Sequence, residues 1–121
     1  MTKSLITYQL TLRLRSDTAL TIGSLGEHFF PAGEYVYTGS ARRNMEARIA
    51  RHLRHEKKLR WHIDYLLNSP ETKIIKVGRF ATPECLVNQN QAGTVLIAGF
   101  GASDCRSACG SHLKYLDGTG Q

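Results

Sequence analysis

The sequence of 121 residues predicts an α+β fold, in which helices flank a small, mainly antiparallel sheet. Two observations predict this fold. Short β-rich segments separated by glycine and proline fill residues 6–39, a pattern typical of closely connected antiparallel strands. Helical and extended segments then alternate, so that the expected order is β-β-β-α-α-β-α-β. One domain covering residues 1–121 accommodates all of these elements.

The first strand has the clearest pattern. In ITYQLTLRLR, the side chains of Tyr8, Leu10, Leu12 and Leu14 alternate with polar ones. A period of two is expected of a strand that buries one face. The segments ALTIGS, EHFFPAG and EYVYTG are also β-rich, and they predict two or three further strands joined by tight connections.

Helices are predicted in the middle of the chain. Met45, Ile49 and Leu53 recur every four residues after Asn44, which is a suitable capping residue, and they predict an amphipathic helix. The segment WHIDYLLNS predicts a shorter second helix that ends at Pro70.

The second helix carries both apolar and polar side chains. We expect it to bury Trp61, Tyr65 and Leu66 and to leave His62 and Asp64 in solvent. Spacing alone assigns His62 no role in a functional site.

The last part of the chain predicts one strand and one helix. TKIIKVGRF is extended in character, and the following helix has Thr82 at its cap and Pro83 at its first position. TVLIAGFG is either a last strand or an extended segment, and a loop rich in Cys and Gly leads from it to HLKYL.

Basic residues are concentrated in one segment. The formal net charge is +6, and half of the sixteen Lys and Arg residues lie between residues 42 and 60. Only Glu46 and Glu56 oppose them there. Such a segment attracts a polyanion and favours nucleic acid as the partner, whereas a solvated helix face is the alternative. The basic residues are Arg42, Arg43, Arg48, Arg51, Arg54, Lys57, Lys58 and Arg60.

Five residues are candidates for chemistry. Tyr8 and Tyr37 lie on predicted strands, Arg48 and His52 share one face of the basic helix, and Glu84 lies in the first turn of a later helix. Each has an ordinary explanation as well. Strand tyrosines usually pack, basic helix residues usually lie on the surface, and an acidic residue stabilises a helix N-terminus.

Together these residues resemble the GIY-YIG endonuclease superfamily. ITY at residues 6–8 matches its first half-motif and YTG at residues 37–39 its second, and Arg48, His52 and Glu84 follow on helices. The segments FPAGEYVYTGSA, RHLRHEKKLRWHIDYLL and GFGASDC…SHLKYL resemble its small stand-alone branch, which also occurs fused to DNA glycosylases. The resemblance covers nearly the whole chain and implies a three-stranded antiparallel core flanked by helices. SDTALTIGSLGEHFFPAG then fits as an extra β-hairpin between the two half-motif strands.

The resemblance also implies metal-dependent hydrolysis of a phosphodiester bond, and the residue types suit that chemistry. Glu84 is the expected ligand of one divalent cation, Mg²⁺ or Mn²⁺. Arg48 offers a planar fork of donors to phosphate oxygens. Tyr8 or Tyr37 is the expected general base or aligns the attacking water. His52 orients a tyrosine or contacts phosphate.

Nucleic acid is expected to bind at a turn formed by Gly39 and Ser40 and along the basic helix. The glycine lets the backbone approach the substrate, and the serine hydroxyl adds a donor. The full set of expected nucleic-acid contacts is Gly39, Ser40, Arg42, Arg43, Arg51, Arg54, Lys57 and Lys58.

The three cysteines suit reduced thiols or a metal site better than a disulfide framework. Cys105 and Cys109 have the spacing C-x3-C, with His112 three residues later and Cys85 elsewhere. Structural zinc sites use such pairs, but the usual second pair is missing, so structural zinc is not favoured. The alternative is that this segment closes the sheet and borders the site, with Asp104 and His112 as polar rim residues.

The expected function is that of a divalent-metal-dependent endonuclease acting on damaged, flapped or branched nucleic acid, with DNA favoured over RNA. The alternatives are a non-catalytic nucleic-acid-binding module of the same fold and, less favoured, a protein-interaction domain. The glycosylase-fused branch implies a DNA-repair protein as a partner. MTKSLITYQL lacks the apolar core of a signal peptide, and no apolar run reaches membrane-span length, so we expect a cytoplasmic protein without a membrane partner.

Overall fold

A computed structural model describes residues 5–41, 43–54, 58–59, 61–97, 99–100 and 111–117. Within these residues the chain forms six strands, three α-helices and one 3-10 turn. The strands are β1 (Thr7–Leu14), β2 (Thr18–Thr21), β3 (Glu27–Phe30), β4 (Gly33–Ser40), β5 (Thr72–Phe80) and β6 (Leu113–Asp117). The helices are α1 (Met45–Leu53), α2 (His62–Leu67) and α3 (Glu84–Asn90), and the 3-10 turn is Gly23–Leu25.

Four strands form one sheet in the order β5-β1-β4-β6, and each neighbouring pair is antiparallel. β2 and β3 form a separate two-stranded sheet in the connection between β1 and β4. The predicted α+β fold is therefore confirmed, with its antiparallel sheet, flanking helices and extra hairpin. The main sheet has one strand more than the expected three-stranded core, because the segment around HLKYL forms β6 beside β4.

One face of the main sheet forms most of the core. Tyr8, Leu10, Leu12 and Leu14 are each at most 2% exposed, as the alternation along β1 predicted. α1 contributes Ile49 to this core, and α2 adds two buried apolar side chains. The two helices therefore cover the face from which Tyr8 projects.

The helices are short. α1 has nine residues, α2 has six and α3 has seven. Over the described part of the chain, no helix is long and apolar enough to cross a membrane. Isolated helices of this length are marginal in water, so packing against the sheet stabilises them.

α1 is amphipathic, but it buries fewer residues than its pattern predicted. Ile49 is 3% exposed, whereas Leu53 at the end of the helix is 53% exposed. Asn44 adopts the left-handed conformation, with φ of 56°, and its side chain caps no backbone group of the described residues. The expected capping contact is therefore wrong, and the start of α1 depends on tertiary contacts.

α2 also departs from its predicted pattern. Leu66 is 1% exposed, as expected, but Trp61 and Tyr65 are only partly buried. Asp64, which was expected in solvent, is fully buried. Its charge is accepted there because the backbone N–H of Trp61 and the guanidinium of Arg51 donate to its carboxylate.

α3 packs on the opposite face of the sheet. Lys114 Nζ donates to the backbone oxygens of Asn88 and Gln91 at 2.9 and 3.0 Å, at the C-terminal end of this helix. Gln9 Nε2 donates to the side-chain oxygen of Gln91 at 3.2 Å. Gln9 and Lys114 point away from the tyrosine face because they alternate with core residues along β1 and β6.

Two predicted boundaries shift in the second half of the chain. α3 begins at Glu84, and Pro83 rather than Thr82 is its cap residue. The segment TVLIAGFG forms no strand in its described residues. It meets β6 through a single bridge between Thr94 and Tyr115, so its alternative interpretation as an extended segment is the better one.

Candidate active site

A hydrogen bond between Tyr8 and His52 lies at the centre of the site. Tyr8 projects from β1 toward α1, and its Oη lies 2.7 Å from Nε2 of His52. The two residues are 1% and 2% exposed. When the neutral imidazole carries its proton on Nδ1, the Tyr8 hydroxyl donates to Nε2. His52 thus contacts the hydroxyl of a tyrosine, and in this tautomer it can accept the proton.

Tyr37 lies beside this pair on β4. Its ring centroid is 6.4 Å from that of Tyr8 and 6.2 Å from that of His52. Burial raises the pKa of both tyrosines above the usual value, and the positive charge of Arg48 partly opposes the shift. Both phenols are therefore protonated at neutral pH. The contact with His52 makes Tyr8 the better placed of the two to lose its proton.

Arg48 lies at the more open side of the cluster. Its Nη1 donates to the backbone oxygen of Ser40, at the end of β4, over 2.8 Å. Its guanidinium carbon lies 5.0 Å from the centroid of the Trp61 ring. Among the described residues, the bond to Ser40 is the one hydrogen bond of this guanidinium, so its other N–H groups can bind a phosphate.

Arg51 is directed inward. Its Nη1 and Nη2 donate to the two carboxylate oxygens of Asp64 at 2.9 and 3.0 Å, and Nη2 also donates to the backbone oxygen of Lys58 at 2.8 Å. The side chains of Arg51 and Asp64 are 17% and 0% exposed. The pair joins α1 to α2. Arg51 was expected to contact nucleic acid, but its guanidinium is engaged in these internal contacts.

Glu84 is held by a residue from a distant part of the chain. His112 Nδ1 lies 2.9 Å from Glu84 Oε2. The His112 side chain is 1% exposed, whereas that of Glu84 is 26% exposed. The carboxylate is thus partly open to solvent and is supported from the interior. The expectation that His112 lies at a polar rim is wrong, because Ser111 and His112 are buried against Asn88 and Glu84 of α3.

The carboxylate of Glu84 affects the two tyrosines through its charge, although α3 packs on the opposite face of the sheet. Its negative charge contributes to the raised pKa of both Tyr8 and Tyr37, and the charge of Arg48 acts in the opposite direction. Such effects are strongest over short distances. Contacts thus join Tyr8, Tyr37 and His52 directly, and Arg48 lies four residues before His52 on α1, whereas Glu84 is linked to the tyrosines by its charge alone.

A divalent cation would meet one partly open carboxylate at Glu84. Over the described residues, no group of three or more His, Cys, Asp or Glu side chains could hold a metal ion. Oε2 of Glu84 is engaged by His112, and Oε1 has no hydrogen bond to a described residue. Mg²⁺ commonly binds through one or two carboxylates and completes its shell with water and substrate phosphate. The residues fit this mode of binding.

The basic residues expected to contact nucleic acid differ in exposure. Arg43, Arg54 and Lys58 are exposed on or beside α1. They are available to phosphates without any rearrangement of the fold. Arg42 and Lys57, which belong to the same expected set, lie outside the described residues.

Gly39 and Ser40 do not form the turn that the sequence predicted. They are the last two residues of β4, which pairs with β1 up to the contact of Ser40 with Thr7. Gly39 is buried opposite Tyr8, and Ser40 is partly exposed. The strand thus offers the backbone oxygen of Ser40 to Arg48, while the nucleic-acid contacts of both residues stay a prediction.

Cys85, His62 and His112 are the residues considered for structural zinc that the structure describes. Cys85 is partly buried at the start of α3. His62 is partly buried as well, with its ring centroid 5.6 Å from that of Phe100, and burial lowers its pKa. Cys105 and Cys109 lie outside the described residues, and so does Asp104, which was expected at the polar rim.

Three contacts were not predicted from the sequence: Trp61 with Arg48, Asp64 with Arg51, and His112 with Glu84. Asp64 occupies the third position of α2, where an acidic side chain can accept from the cap residue's N–H, but Trp61 has no side-chain oxygen to complete a capping-box pattern. His112 comes 28 residues after Glu84, and no local pattern joins the two.

Comparison with known proteins gives a family without an assigned activity. No curated protein and no solved structure matches the chain. The family model that matches is described as Domain of unknown function DUF123, and it covers residues 7–121. The match thus begins at the first residue of β1 and includes every strand and helix described above. The chain belongs to the DUF123 family.

Proposed function

We propose that the protein is a divalent-metal-dependent endonuclease of the GIY-YIG type, which hydrolyses phosphodiester bonds in DNA. The observation that carries the proposal is the buried hydrogen bond between Tyr8 and His52. Arg48 lies on the same helix as His52, and Glu84 acts on the same tyrosine. A proton acceptor, an anion-binding fork and a partly open carboxylate are the groups that this reaction needs, and their presence supports the proposal.

Arg48 stabilises the charge that develops on the phosphate. Its planar guanidinium can donate two parallel hydrogen bonds to non-bridging oxygens, which the ammonium of a lysine cannot do. The contacts of Arg48 with Ser40 and Trp61 fix the guanidinium before a substrate arrives. A group fixed in advance loses less entropy when it binds the transition state.

Tyr8 and His52 activate the attacking water. His52 takes the proton of the Tyr8 hydroxyl through the contact between Oη and Nε2, and the resulting phenolate takes a proton from the water. Burial disfavours the phenolate, as the raised pKa of Tyr8 indicates. The reaction therefore needs positive charge close to Tyr8, and Arg48 supplies part of it.

Glu84 would hold the divalent cation, and His112 would orient its carboxylate through the contact with Oε2. When bound, Mg²⁺ or Mn²⁺ supplies Lewis acidity at the phosphate. The negative charge of Glu84 contributes to the raised pKa of Tyr8. Neutralisation of that charge therefore favours the phenolate, so metal binding and base formation support each other.

The exposed basic residues support a nucleic-acid substrate. Arg43, Arg54 and Lys58 are exposed and can bind phosphates. We propose DNA of unusual structure as the substrate, because a small domain has little surface for reading a long sequence. A cytoplasmic location and a DNA-repair protein as partner follow from the sequence resemblance and belong to the same proposal.

The test is incubation of the chain with single-stranded, duplex, flapped and branched DNA in Mg²⁺ or Mn²⁺. We expect cleavage that EDTA abolishes and that Glu84→Gln removes. Glu46→Gln is the matched control, because Glu46 is a glutamate of α1 with a 72% exposed side chain that pairs with Arg79. This control should cut as the unmodified protein does.

Other functions would give other results. A non-catalytic binding module would bind DNA in EDTA, with an affinity that falls as monovalent salt rises, and would not cut it. A protein-interaction domain would have no appreciable affinity for DNA at moderate salt. Cleavage that survives unchanged in Glu84→Gln would contradict the metal site.

A further inference from the structure

We propose that Trp61 is a positioning residue whose indole ring holds Arg48 and His52 in the places where they act. The inference rests on the proposed function, because it concerns the same site. Arg51 and Asp64 in turn fix the position of the indole ring. We name the set of Trp61, Arg51 and Asp64 the indole clamp.

The indole ring contacts three residues of α1. The guanidinium carbons of Arg48 and Arg51 lie 5.0 and 4.3 Å from the ring centroid. The imidazole centroid of His52 lies 5.6 Å from it. A guanidinium over an indole is attracted by the negative face of the ring. One side chain at the start of α2 therefore touches both residues that the proposed reaction uses on α1.

Asp64 fixes the position of Trp61. The backbone N–H of Trp61 donates to Asp64 Oδ2 at 2.9 Å, which sets the first turn of α2. The same carboxylate accepts both branches of the Arg51 guanidinium, and Arg51 lies against the indole. Because a bidentate pair has little rotational freedom, one buried carboxylate fixes both the backbone of Trp61 and a neighbour of its ring.

The two arginines of α1 that contact the indole differ in whether a carboxylate neutralises them. Asp64 neutralises Arg51, whereas Arg48 has no carboxylate partner among the described residues. Arg48 therefore keeps its full charge for a phosphate. Arg51 lies three residues later on the same helix. Its guanidinium is paired with Asp64, so it does not bind phosphate and instead packs against the indole ring of Trp61.

α1 needs this support because a short helix without a side-chain cap has little stability of its own. It has nine residues, and the side chain of Asn44 provides no cap within the described part of the chain. The arginine side chain has many rotamers, and only contacts with fixed neighbours select one of them. Loss of the indole should therefore cost the orientation of Arg48 as well as some stability.

Intrinsic fluorescence tests the contact without any activity, because Trp61 is the only tryptophan in the chain. We expect Arg48→Ala to shift the emission or to change its quenching by acrylamide. Arg54→Ala is the matched control, since it removes an exposed arginine just after α1 and should leave the emission unchanged. Equal emission in Arg48→Ala and the unmodified protein would overturn the proposal.

Cleavage kinetics separate positioning from stability. Trp61→Leu should lower kcat by about 10- to 100-fold with little change in KM, at a temperature where circular dichroism shows that the variant is folded. Trp61→Phe keeps an aromatic face and should retain most of the rate. A kcat per folded molecule that Trp61→Leu leaves unchanged would show a merely structural role and would overturn the proposal.

DNA binding in EDTA provides a test that does not depend on cleavage. The effect of Arg48→Ala on the affinity for a duplex oligonucleotide is measured in the unmodified protein and again in Trp61→Leu. We expect Arg48→Ala to lower the affinity clearly less in Trp61→Leu than in the unmodified protein, because Arg48 is already misplaced in Trp61→Leu. Equal effects would overturn the inference.

If Trp61→Leu does not fold, Asp64→Asn takes its place. Coupling without cleavage would support the indole clamp and defeat the proposed function.

Discussion

A β-carbon at Gly39 would lie 2.5 Å from the phenol oxygen of Tyr8, its partner across the β1–β4 pair. Such a carbon would also lie 2.5 Å from the ring carbon that bears this oxygen. Gly39 lies in a regular strand, so the need for glycine is steric and does not come from its backbone conformation. The missing side chain makes the space in which the Tyr8 ring reaches His52.

Gly39→Ala should therefore destabilise the fold and misplace Tyr8. Overpacking of this kind costs about 1–3 kcal/mol of the free energy of unfolding. The measurement is thermal unfolding together with cleavage of the best DNA substrate. Gly78→Ala on β5 is the control, because the nearest atom to its added β-carbon is 3.4 Å away. Equal melting temperatures for the two variants would contradict the steric argument.

His112→Leu should weaken metal binding at Glu84. The substitution removes the donor to Oε2, so the carboxylate loses its fixed orientation. Loss of a partner that orients a metal ligand typically costs about 10- to 100-fold in affinity or activity. Calorimetric titration with Mn²⁺ in the presence of DNA checks the affinity directly. His112→Gln, which keeps a donor, should recover part of it, and a Mn²⁺ affinity that stays unchanged in both variants would count against the orienting contact.

Tyr8→Phe should reduce cleavage more than Tyr37→Phe does. Tyr8 carries the hydrogen bond to His52, and removal of a general base costs about 100- to 10,000-fold. Because burial raises the pKa of Tyr8, the unmodified protein holds the neutral phenol at pH 7, and its kcat should increase as the pH rises through the neutral range. The residual rate of Tyr8→Phe should lack this increase. A larger loss in Tyr37→Phe would transfer the role of base to Tyr37.

Alkaline pH should unfold the protein before its core tyrosines ionise. Burial raises the pKa of Tyr8, Tyr35 and Tyr37 in the folded state, whereas unfolded tyrosines ionise near pH ~10. Above that pH the unfolded chain loses protons that the folded chain retains, so the free energy of unfolding falls as the pH rises. Phenolate absorbance and far-UV circular dichroism should change together. Full ionisation with intact secondary structure would contradict the burial of these hydroxyls.

The strand side of the site was predictable because a strand repeats every two residues. The alternation in β1 placed Tyr8 on the buried face together with Leu10, and the glycine spacing indicated the extra hairpin. The step of four residues between Arg48 and His52 likewise placed them on one helix face. These relationships are local, so short windows of sequence contain them.

Contacts between distant segments were not predictable in this way. Asp64 was expected in solvent because carboxylates are seldom fully buried, and the exception depends on Arg51, 13 residues away. Gly39 and Ser40 favour a turn by composition, but pairing with β1 keeps them extended. Tertiary contacts overrode local preference at both places.

The order of the strands also has a consequence for synthesis of the chain. β1 is made first, yet it occupies an interior position, with β4 on one side and β5 on the other. While the chain is being made, one edge of β1 stays open until residues 72–80 have left the ribosome. Glu84 and His112 emerge later still. A nascent chain that already carries Tyr8 and His52 therefore has an unpaired strand and lacks Glu84 and His112, so the sheet and the proposed site should be completed together, only after residues 113–117 have been made.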